Sequence, residues 1–323
     1  MAKVDLTKYK DIPTIGFKPF SDVILDFSQH NKWVIPSKVA IVAAPVGAFV
    51  SKKQNPYQPI SADEIIKESI ECVEAGACSV HIHVRDEKGF PSGDRNQTIK
   101  IVKALRDRFG ANVHIDGEAL FGETFPETME PIVEGWYESA AVNCHADFMG
   151  DTVCYEGPQS CKAQCEIMQA YGKKPLLAVY NPGDIDNTYR WLIKTGVEKP
   201  PFYWAIGPGM PGGAPMYDPI SMAETMVYMI RRIKDVDKSE NQKILVLAGG
   251  RASSYVIALA ILLGCHVRVG KEDTIYMHPD RDDVIKSSAE VVERTVAMAR
   301  LLGREPMTAA EYRQDVGMQP FKK

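Results

Sequence analysis

The chain has 323 residues, of which 45% are hydrophobic and 25% charged, a composition typical of a globular protein. Its 38 basic and 42 acidic residues give a formal net charge of −4 without a basic block, which argues against a nucleic-acid-binding protein. The sequence has no apolar run of membrane-spanning length and no signal-peptide core near Met1, and its seven cysteines are scattered, so we expect a cytoplasmic protein with reduced thiols and no membrane partner.

Predicted strands and helices alternate from residue 38 onward. Residues 1–37 have weak periodicity and several prolines, and we interpret them as an N-terminal extension of a single domain, 38–323. The predicted strands are 38–44, a segment around 81–86, 113–116, 140–143, 175–180, 202–206, 243–248 and 266–270. The predicted helices are 61–75, 97–109, 160–171, 185–195, 219–234, 253–263 and 283–302.

The order of these elements predicts the fold class. Eight strands, each apolar and each followed by a helix or a helix-sized segment, indicate a parallel sheet whose faces are covered by helices. Eight such units in about 265 residues fit one (β/α)8 TIM barrel. A doubly wound open sheet is the alternative, although no Gly-x-Gly-x-x-Gly pattern follows the first strand.

His81 and His83 are the first candidate functional residues. Side chains two positions apart in a strand project from the same face, so the strand pattern predicts that both imidazoles point the same way. Two neutral imidazoles suit a divalent ion such as zinc, which usually takes a third protein ligand and keeps one position open for chemistry. The alternative is that one histidine is packed in the core and the other is incidental.

Further candidates follow from barrel geometry, because catalytic groups lie at the carboxyl ends of the strands. The first strand separates the second strand from the eighth, so Glu272, just after the eighth strand, can reach the histidine pair as a third zinc ligand. Asp273 is then free to act as a base that Arg268 holds. Other polar side chains at strand ends are candidates for substrate binding: Asp116, Glu118, Asn143 and Tyr180.

These residues resemble a known family. The pattern His81-x-His83-x-Arg85-Asp86, together with Gly264-Cys-His-Val-Arg-Val-Gly-Lys-Glu-Asp273, is similar to the β-keto acid cleavage enzymes, which are zinc-dependent (β/α)8 proteins. The similarity extends from about Lys38 to Gly317 and includes the Pro208–Gly213 loop. The resemblance implies a zinc ion held by His81, His83 and Glu272, with Arg268 and Asp273 as the catalytic pair.

The resemblance also implies a reaction and an assembly. A β-keto acid and acetyl-CoA would exchange to give acetoacetate and a new acyl-CoA, in a reverse Claisen reaction. Zinc would polarise the ketone, and Asp273 would take up a proton from the substrate or from its hydrated form. A homotetramer or a dimer is expected.

The chain departs from the family pattern around the substrate. Phe49 stands where the best-known members carry an acidic residue that recognises a substrate amine, and Asp116-Gly117-Glu118-Ala119 replaces a Ser-Thr-Gly-Gly turn that holds the substrate carboxylate. Ala146 replaces a threonine, and the glutamate pattern of the fifth strand reads Ala178-Val-Tyr-Asn181. A substrate carboxylate would be repelled at Asp116 and Glu118 unless one of them is protonated or pairs with Arg85. The substrate is therefore expected to be shaped differently, to be cationic, or to have its carboxylate held elsewhere.

Two other functions are compatible with a metal-binding barrel. A hydrolase of amidohydrolase type would carry its His-x-His on the first strand and further histidines on strands five and six, where this chain has none. A metal-holding barrel without the family's activity is the second alternative, and the presence of both Arg268 and Asp273 counts against it.

Overall fold

The computed structural model describes most of the chain: residues 3–13, 26–149, 152–210, 218–236, 238 and 242–321. Of the loop predicted at 208–213, the part from Pro211 onward lies outside these residues. The chain divides into two compact units, Met1–Val34 and Ile35–Lys323. The first unit contains two short 3-10 helices, Leu6–Tyr9 and Phe27–Gln29, each begun by an aspartate that accepts a backbone hydrogen bond.

The second unit contains a closed barrel of parallel strands. Numbered in chain order, the barrel strands are β1 Ile41–Ala43, β2 Ser79–Ile82, β3 His114–Gly117, β4 Ser139–Asn143, β5 Lys174–Val179, β6 Phe202–Ile206, β7 Gln242–Leu247 and β8 His266–Val269. Each strand pairs with the next strand along the chain, and β8 closes the barrel by pairing with β1. The predicted (β/α)8 barrel is confirmed, and the open-sheet alternative is wrong.

Helices surround this barrel. In the part of the chain that the structure describes, they are α1 Ala62–Glu74, α2 Arg95–Phe109, α3 Phe125–Val133, α4 Pro158–Ala170, α5 Pro182–Thr188, α6 Pro219–Val236, α7 Ser253–Leu262, α8 Ser288–Leu301 and α9 Ala309–Asp315. Ser61 and Glu64 form a capping box at the start of α1. None of the described helices has the length and the hydropathy that crossing a membrane requires.

Two helix predictions need correction, and two helices were not predicted. The helix predicted at 283–302 begins only at Ser288, because the residues before it are held irregularly by backbone bonds such as Ile285 N to Ile275 O. The helix predicted at 185–195 starts earlier, as α5, and continues as a π-helix, Tyr189–Ile193. The short helices α3, which contains two prolines, and α9 were not predicted from the sequence.

Two antiparallel hairpins extend from the barrel beyond the carboxyl ends of strands. Val84–Arg85 pairs with Pro91–Ser92 after β2, and Ala146–Met149 pairs with Thr152–Tyr155 after β4. Both hairpins therefore border the end of the barrel where the candidate functional residues lie.

The barrel strands have two unlike faces. Their outward side chains, such as Val80 and Ile115, join the hydrophobic core beneath the helices. The prediction that the strands are uniformly apolar is wrong for the inward face, where several polar side chains are fully buried: Ser79, His81, His114, Asp116 and Ser139. All seven cysteines are free thiols.

Candidate metal centre

His81 and His83 come together at the carboxyl end of β2, although not in the way that the strand pattern predicts. The barrel strand ends at Ile82, so His83 lies outside it, just before the hairpin strand Val84–Arg85. Their Nε2 atoms are nevertheless 3.1 Å apart, and both side chains are buried. Two ring nitrogens are thus directed at the same small volume.

Glu272 reaches this volume from the loop after β8. Its Oε1 is 3.4 Å from Nε2 of His83, and its Oε2 is 3.6 Å from Nε2 of His81. The side chain crosses over Gly47, where a Cβ atom would be only 2.1 Å from Cγ of Glu272. The glycine at this position therefore leaves the space through which Glu272 passes to the histidines. The structure brings together the three residues predicted as metal ligands, and their role as ligands stays a prediction.

Asp116 contacts Nδ1 of the His81 ring, the nitrogen that does not approach His83. Its Oδ2 is 2.7 Å from Nδ1 of His81, and its Oδ1 accepts a hydrogen bond of 2.7 Å from Oγ of Ser139. Ser139 in turn contacts the ring of His114, all within the barrel interior. An ionised carboxylate at Nδ1 favours the tautomer that leaves Nε2 with a free lone pair. Both oxygens of Asp116 are engaged, so we assign it to orienting His81 instead of to the substrate contact expected from the sequence.

Glu118, also expected at the substrate, borders the metal centre. Its Oε1 is 3.6 Å from Nε2 of His81, and its Oε2 is buried without a hydrogen-bond partner. One ligand atom each from His81, His83 and Glu118 lie within 4.8 Å of one another. Burial raises the pKa of Glu118 to about 8, with a further contribution from Glu272 and an opposing one from His81.

Burial and the nearby carboxylates shift the pKa values of the two histidines in opposite directions. Burial would lower the pKa of His81, but Glu272 and Asp116 outweigh burial and raise the pKa to about 9. Burial dominates at His83 and lowers its pKa. The two imidazoles and the carboxylates of Glu118 and Glu272, whose Oε2 atoms lack hydrogen-bond partners among the described residues, form a donor set that fits a divalent cation.

Arg268 and Asp273 form a buried ion pair beside this donor set. Nη2 of Arg268 donates to Oδ1 of Asp273 at 2.5 Å, and the same nitrogen is 3.0 Å from Oε1 of Glu272. Burial raises the pKa of Asp273 to about 6, although Arg268 opposes the shift. Asp273 is thus a carboxylate with enhanced basicity held next to the donor atoms.

A buried lysine fixes the loop that carries these residues. Nζ of Lys271 donates to Oε2 of Glu68 at 2.7 Å and to the carbonyl oxygen of Tyr57 at 2.6 Å. The other oxygen of Glu68 accepts a bond of 2.8 Å from the backbone N–H of Ser288. The loop between β8 and α8 is therefore tied to α1 on either side of Glu272 and Asp273.

Asn143 and Tyr180 lie at the same end of the barrel. The Tyr180 hydroxyl donates to Oδ1 of Asn143 at 3.2 Å, and the amide nitrogen of Asn143 is buried without a partner. Burial and the nearby Glu118 carboxyl raise the pKa of Tyr180 well above its usual value.

The remaining departures from the family pattern lie around these residues. Asn181 caps α5 by accepting bonds from Gly183 and Asp184. Phe49 and Ala146 are exposed. Arg85 does not pair with Asp116 or Glu118; its guanidinium donates instead to the carbonyl oxygens of Gly89 and Val50.

A cavity of about 360 Å³ opens beside the metal centre, between the loops that follow β2 and β3. His83 and Glu118 form part of its wall, and Phe121, Trp136 and Tyr137 supply aromatic surface. A small organic substrate could therefore extend from the donor atoms into this cavity.

Comparisons with known proteins cover most of the chain. Residues 38–318 match the model of the family described as beta-keto acid cleavage enzyme. A 3-keto-5-aminohexanoate cleavage enzyme from Fusobacterium nucleatum is 32% identical over 285 residues, which cover 87% of this chain and 98% of that enzyme. A 3-dehydrocarnitine:acetyl-CoA trimethylamine transferase from Rhizobium meliloti is 25% identical, over 86% of this chain and 95% of the relative.

Solved structures show the same fold. ObcA, in a binary complex with oxaloacetate, superposes with a TM-score of 0.69 at 17% sequence identity. The superposition covers 81% of this chain and 68% of the ObcA chain.

Proposed function

Because this chain belongs to the β-keto acid cleavage enzyme family, we propose that it exchanges a β-keto acid with acetyl-CoA to give acetoacetate and a new acyl-CoA, at a zinc centre formed by His81, His83 and Glu272. The observation that carries the proposal is the convergence of Glu272 with the two histidines, directly beside the Arg268–Asp273 ion pair. A fold alone would not support this function, because TIM barrels host many chemistries.

The proposed exchange balances without a further reactant. In the β-keto acid, the bond between the ketone carbon and the CH₂ group next to the carboxylate breaks. That CH₂ carbon forms a new bond to the acetyl carbonyl carbon, which gives acetoacetate. The remaining acyl group passes to the CoA sulfur that the acetyl group leaves.

The metal and the protein have separate tasks in this reaction. A bound divalent ion would supply Lewis-acid polarisation of the ketone oxygen and stabilise the negative charge that develops there. Asp116 holds His81 so that Nε2 faces the centre, and the loop tie through Lys271 holds Glu272 in place. The chain therefore pre-positions its donor atoms before substrate arrives.

Asp273 is the proton acceptor that we assign. Its carboxylate is held by Arg268 through two hydrogen bonds, at 2.5 and 3.3 Å, and adjoins the donor atom cluster. A base must be oriented as well as basic, and the bidentate guanidinium contact fixes its plane. Asp273 would take the proton that has to leave the substrate or its hydrated form before the carbon–carbon bond can break.

The cavity beside His83 and Glu118, whose wall is partly aromatic, supports a substrate whose acyl part extends away from the metal. It begins at His83 and Glu118 and is lined by Phe121 and Trp136, so an organic group several atoms long can be accommodated. The acyl group that passes to CoA is the part of the substrate that we place there.

The proposal is tested by tracing the carbon atoms of the acetyl group from acetyl-CoA into the products. The zinc-loaded protein is incubated with acetyl-CoA carrying ¹³C in its acetyl group and with a panel of β-keto acids whose far ends are cationic, neutral or anionic. We expect at least one member to give acetoacetate labelled in its acetyl half, together with the matching acyl-CoA. Absence of labelled acetoacetate across the panel, or cleavage that proceeds without acetyl-CoA, would refute the proposed reaction.

A further inference from the structure

We propose that Glu118 is a fourth protein ligand, so that the metal centre of this chain combines two imidazoles with two carboxylates and favours an ion that accepts more than four ligands. The inference rests on the proposed function and revises its metal centre, because Glu118 joins His81, His83 and Glu272 and zinc is then not the only ion that suits the site. It concerns a residue that stands in the segment where the chain departs from the family pattern, Asp116–Ala119.

The position of Glu118 follows from the pairing of β2 with β3. His81 is the register partner of Asp116 across the two strands. The strand β3 ends at Gly117, and Glu118 is the first residue after it. Asp116 consequently contacts Nδ1 of the His81 ring, and Glu118 lies next to Nε2 of the same ring.

The separations between donor atoms match those around one cation. An ion with bonds of about 2.0–2.2 Å keeps neighbouring ligand atoms roughly 2.8–3.6 Å apart in tetrahedral to octahedral arrangements. The two Nε2 atoms are 3.1 Å apart, and the nearest oxygens of Glu272 and Glu118 are each 3.6 Å from Nε2 of His81. By this measure Glu118 is placed as well as Glu272 with respect to His81, and its donor atom lies within 4.8 Å of that of His83, to which Glu272 is closer.

Within the described ranges, only one oxygen of Glu118 has a polar neighbour, the Nε2 atom of His81. Its Oε2 has no hydrogen bond, and no lysine or arginine of the described residues lies within ion-pair distance of it. Glu272, by contrast, contacts Arg268. Buried carboxylate oxygens are costly when they lack a partner, and a divalent cation would provide one for the free Oε2 atoms of Glu118 and Glu272.

A second carboxylate changes which ions the centre prefers. Imidazole donors suit zinc, whereas carboxylate oxygens favour ions such as Mn²⁺. Catalytic zinc sites commonly use three protein ligands and leave a fourth position for substrate. With four protein donors, a substrate oxygen would need a fifth coordination position, which an ion with a larger coordination number would provide more readily.

The inference is tested by measuring metal affinity, which does not depend on enzyme activity. Metal-free wild-type protein, Glu118→Gln and the control Glu123→Gln are titrated with Mn²⁺ and Zn²⁺ in competition with a chromophoric chelator. Glu123 lies on the same loop and lines the same cavity, but it is exposed. We expect Glu118→Gln to bind Mn²⁺ more weakly by over about 100-fold, beyond what loss of an outer-sphere partner costs, and to lose less affinity for Zn²⁺.

The Co²⁺-loaded proteins give an independent reading of coordination number. Wild type should show the weak visible absorption of a five- or six-coordinate ion, and Glu118→Gln the stronger bands of a four-coordinate one. Unchanged Mn²⁺ affinity and an unchanged Co²⁺ spectrum in Glu118→Gln would overturn the inference. Thermal unfolding of the metal-free variants verifies that each one is folded.

Failure of this inference can be told apart from failure of the proposed function. If Glu118→Gln binds both ions as wild type does while wild type still forms labelled acetoacetate, only the fourth ligand is refuted. If wild type binds metal through Glu118 but forms no acetoacetate from any β-keto acid, the reaction is refuted and the ligand set stands.

Discussion

Oδ2 of Asp116 lies 2.7 Å from Nδ1 of His81, between register partners on β2 and β3. This contact makes Asp116 the residue that sets which ring nitrogen of His81 is available to a metal. Carboxylate–histidine pairs of this kind orient metal ligands and raise their basicity.

Replacing the carboxylate should weaken metal binding without unfolding the barrel. In Asp116→Asn we expect the affinity for Zn²⁺ to fall roughly 10- to 100-fold, because the neutral amide no longer fixes the His81 tautomer. Chelator competition measures the affinity. Asp63→Asn, at an exposed surface ion pair with Lys100, is the matched control and should leave it unchanged. Equal affinities in wild type and Asp116→Asn would remove Asp116 from the metal centre.

Adding one methyl group at Gly47 should displace Glu272. A Cβ atom there would lie 2.1 Å from Cγ of Glu272, and the Gly47 backbone is not in the left-handed region, so the change probes space alone. We expect Gly47→Ala to lose metal affinity and roughly 100-fold in turnover, the effect of moving a reacting group by about 1 Å. Gly157→Ala is the control, since nothing lies within 4 Å of its Cβ position. Full metal binding in Gly47→Ala would show that Glu272 is not needed where the structure places it.

Removing the proposed base should separate chemistry from metal binding. In Asp273→Asn we expect metal to be retained and kcat to fall roughly 10²- to 10⁴-fold, because the amide cannot accept the substrate proton. The control Asp282→Asn changes a carboxylate with an exposed side chain on the same loop. Metal analysis and the acetoacetate assay on the same preparations give both readings, and unchanged turnover would exclude Asp273 from the mechanism.

Glu138 should make the barrel sensitive to acid. It is buried, and Arg313 and Arg106 overcome the effect of burial and lower its pKa from 4.5 to about 2. A carboxyl whose pKa is lower in the folded state stabilises the protein above the unfolded pKa, and this contribution is lost as the pH falls from about 4.5 to about 2. The shift corresponds to about 3 kcal/mol.

The acid prediction is measured by denaturant unfolding of metal-free protein. We expect the stability of wild type to fall more steeply than that of Glu138→Gln over this pH range, because glutamine has no proton to gain. At neutral pH the variant should be less stable, since the two arginines lose their charge partner. Parallel pH profiles for the two proteins would contradict this role of Glu138.

The fold and the approach of Glu272 to the histidines could be predicted from sequence. Apolar strand segments separated by helix-sized intervals indicate a barrel, and closure of a barrel makes β8 and β2 the two neighbours of β1. Any carboxylate just after β8 is then close to the end of β2. Neither inference needs to know how individual side chains pack.

The positions of Asp116 and Glu118 around His81 could not be predicted, because they depend on strand register. A sequence shows that both residues end the third strand, but not that His81 pairs with Asp116. Without that register, a carboxylate that contacts Nδ1 of the imidazole cannot be distinguished from one that faces the substrate. Ser139, which holds Asp116, gave no signal apart from its place at the start of β4.

The irregular segment before α8 was missed for a different reason. In the sequence, its apolar residues Val284 and Ile285 have the pattern of the first turn of an amphipathic helix. In the structure, Val284 forms an isolated β-bridge with Tyr276, and the side chain of Ile285 is buried. The helix begins only where Ser287 caps it.

The dependence of acetoacetate formation on the metal centre is the most direct test of the proposed enzyme. Turnover with acetyl-CoA and a β-keto acid substrate is measured for wild type and His83→Ala, each before stripping with a chelator, after stripping, and after Zn²⁺ is restored. We expect stripping to abolish turnover in wild type and Zn²⁺ to restore it, while His83→Ala stays inactive throughout. Turnover that survives complete removal of metal, or a His83→Ala protein that reloads and turns over as wild type does, would contradict catalysis at this centre.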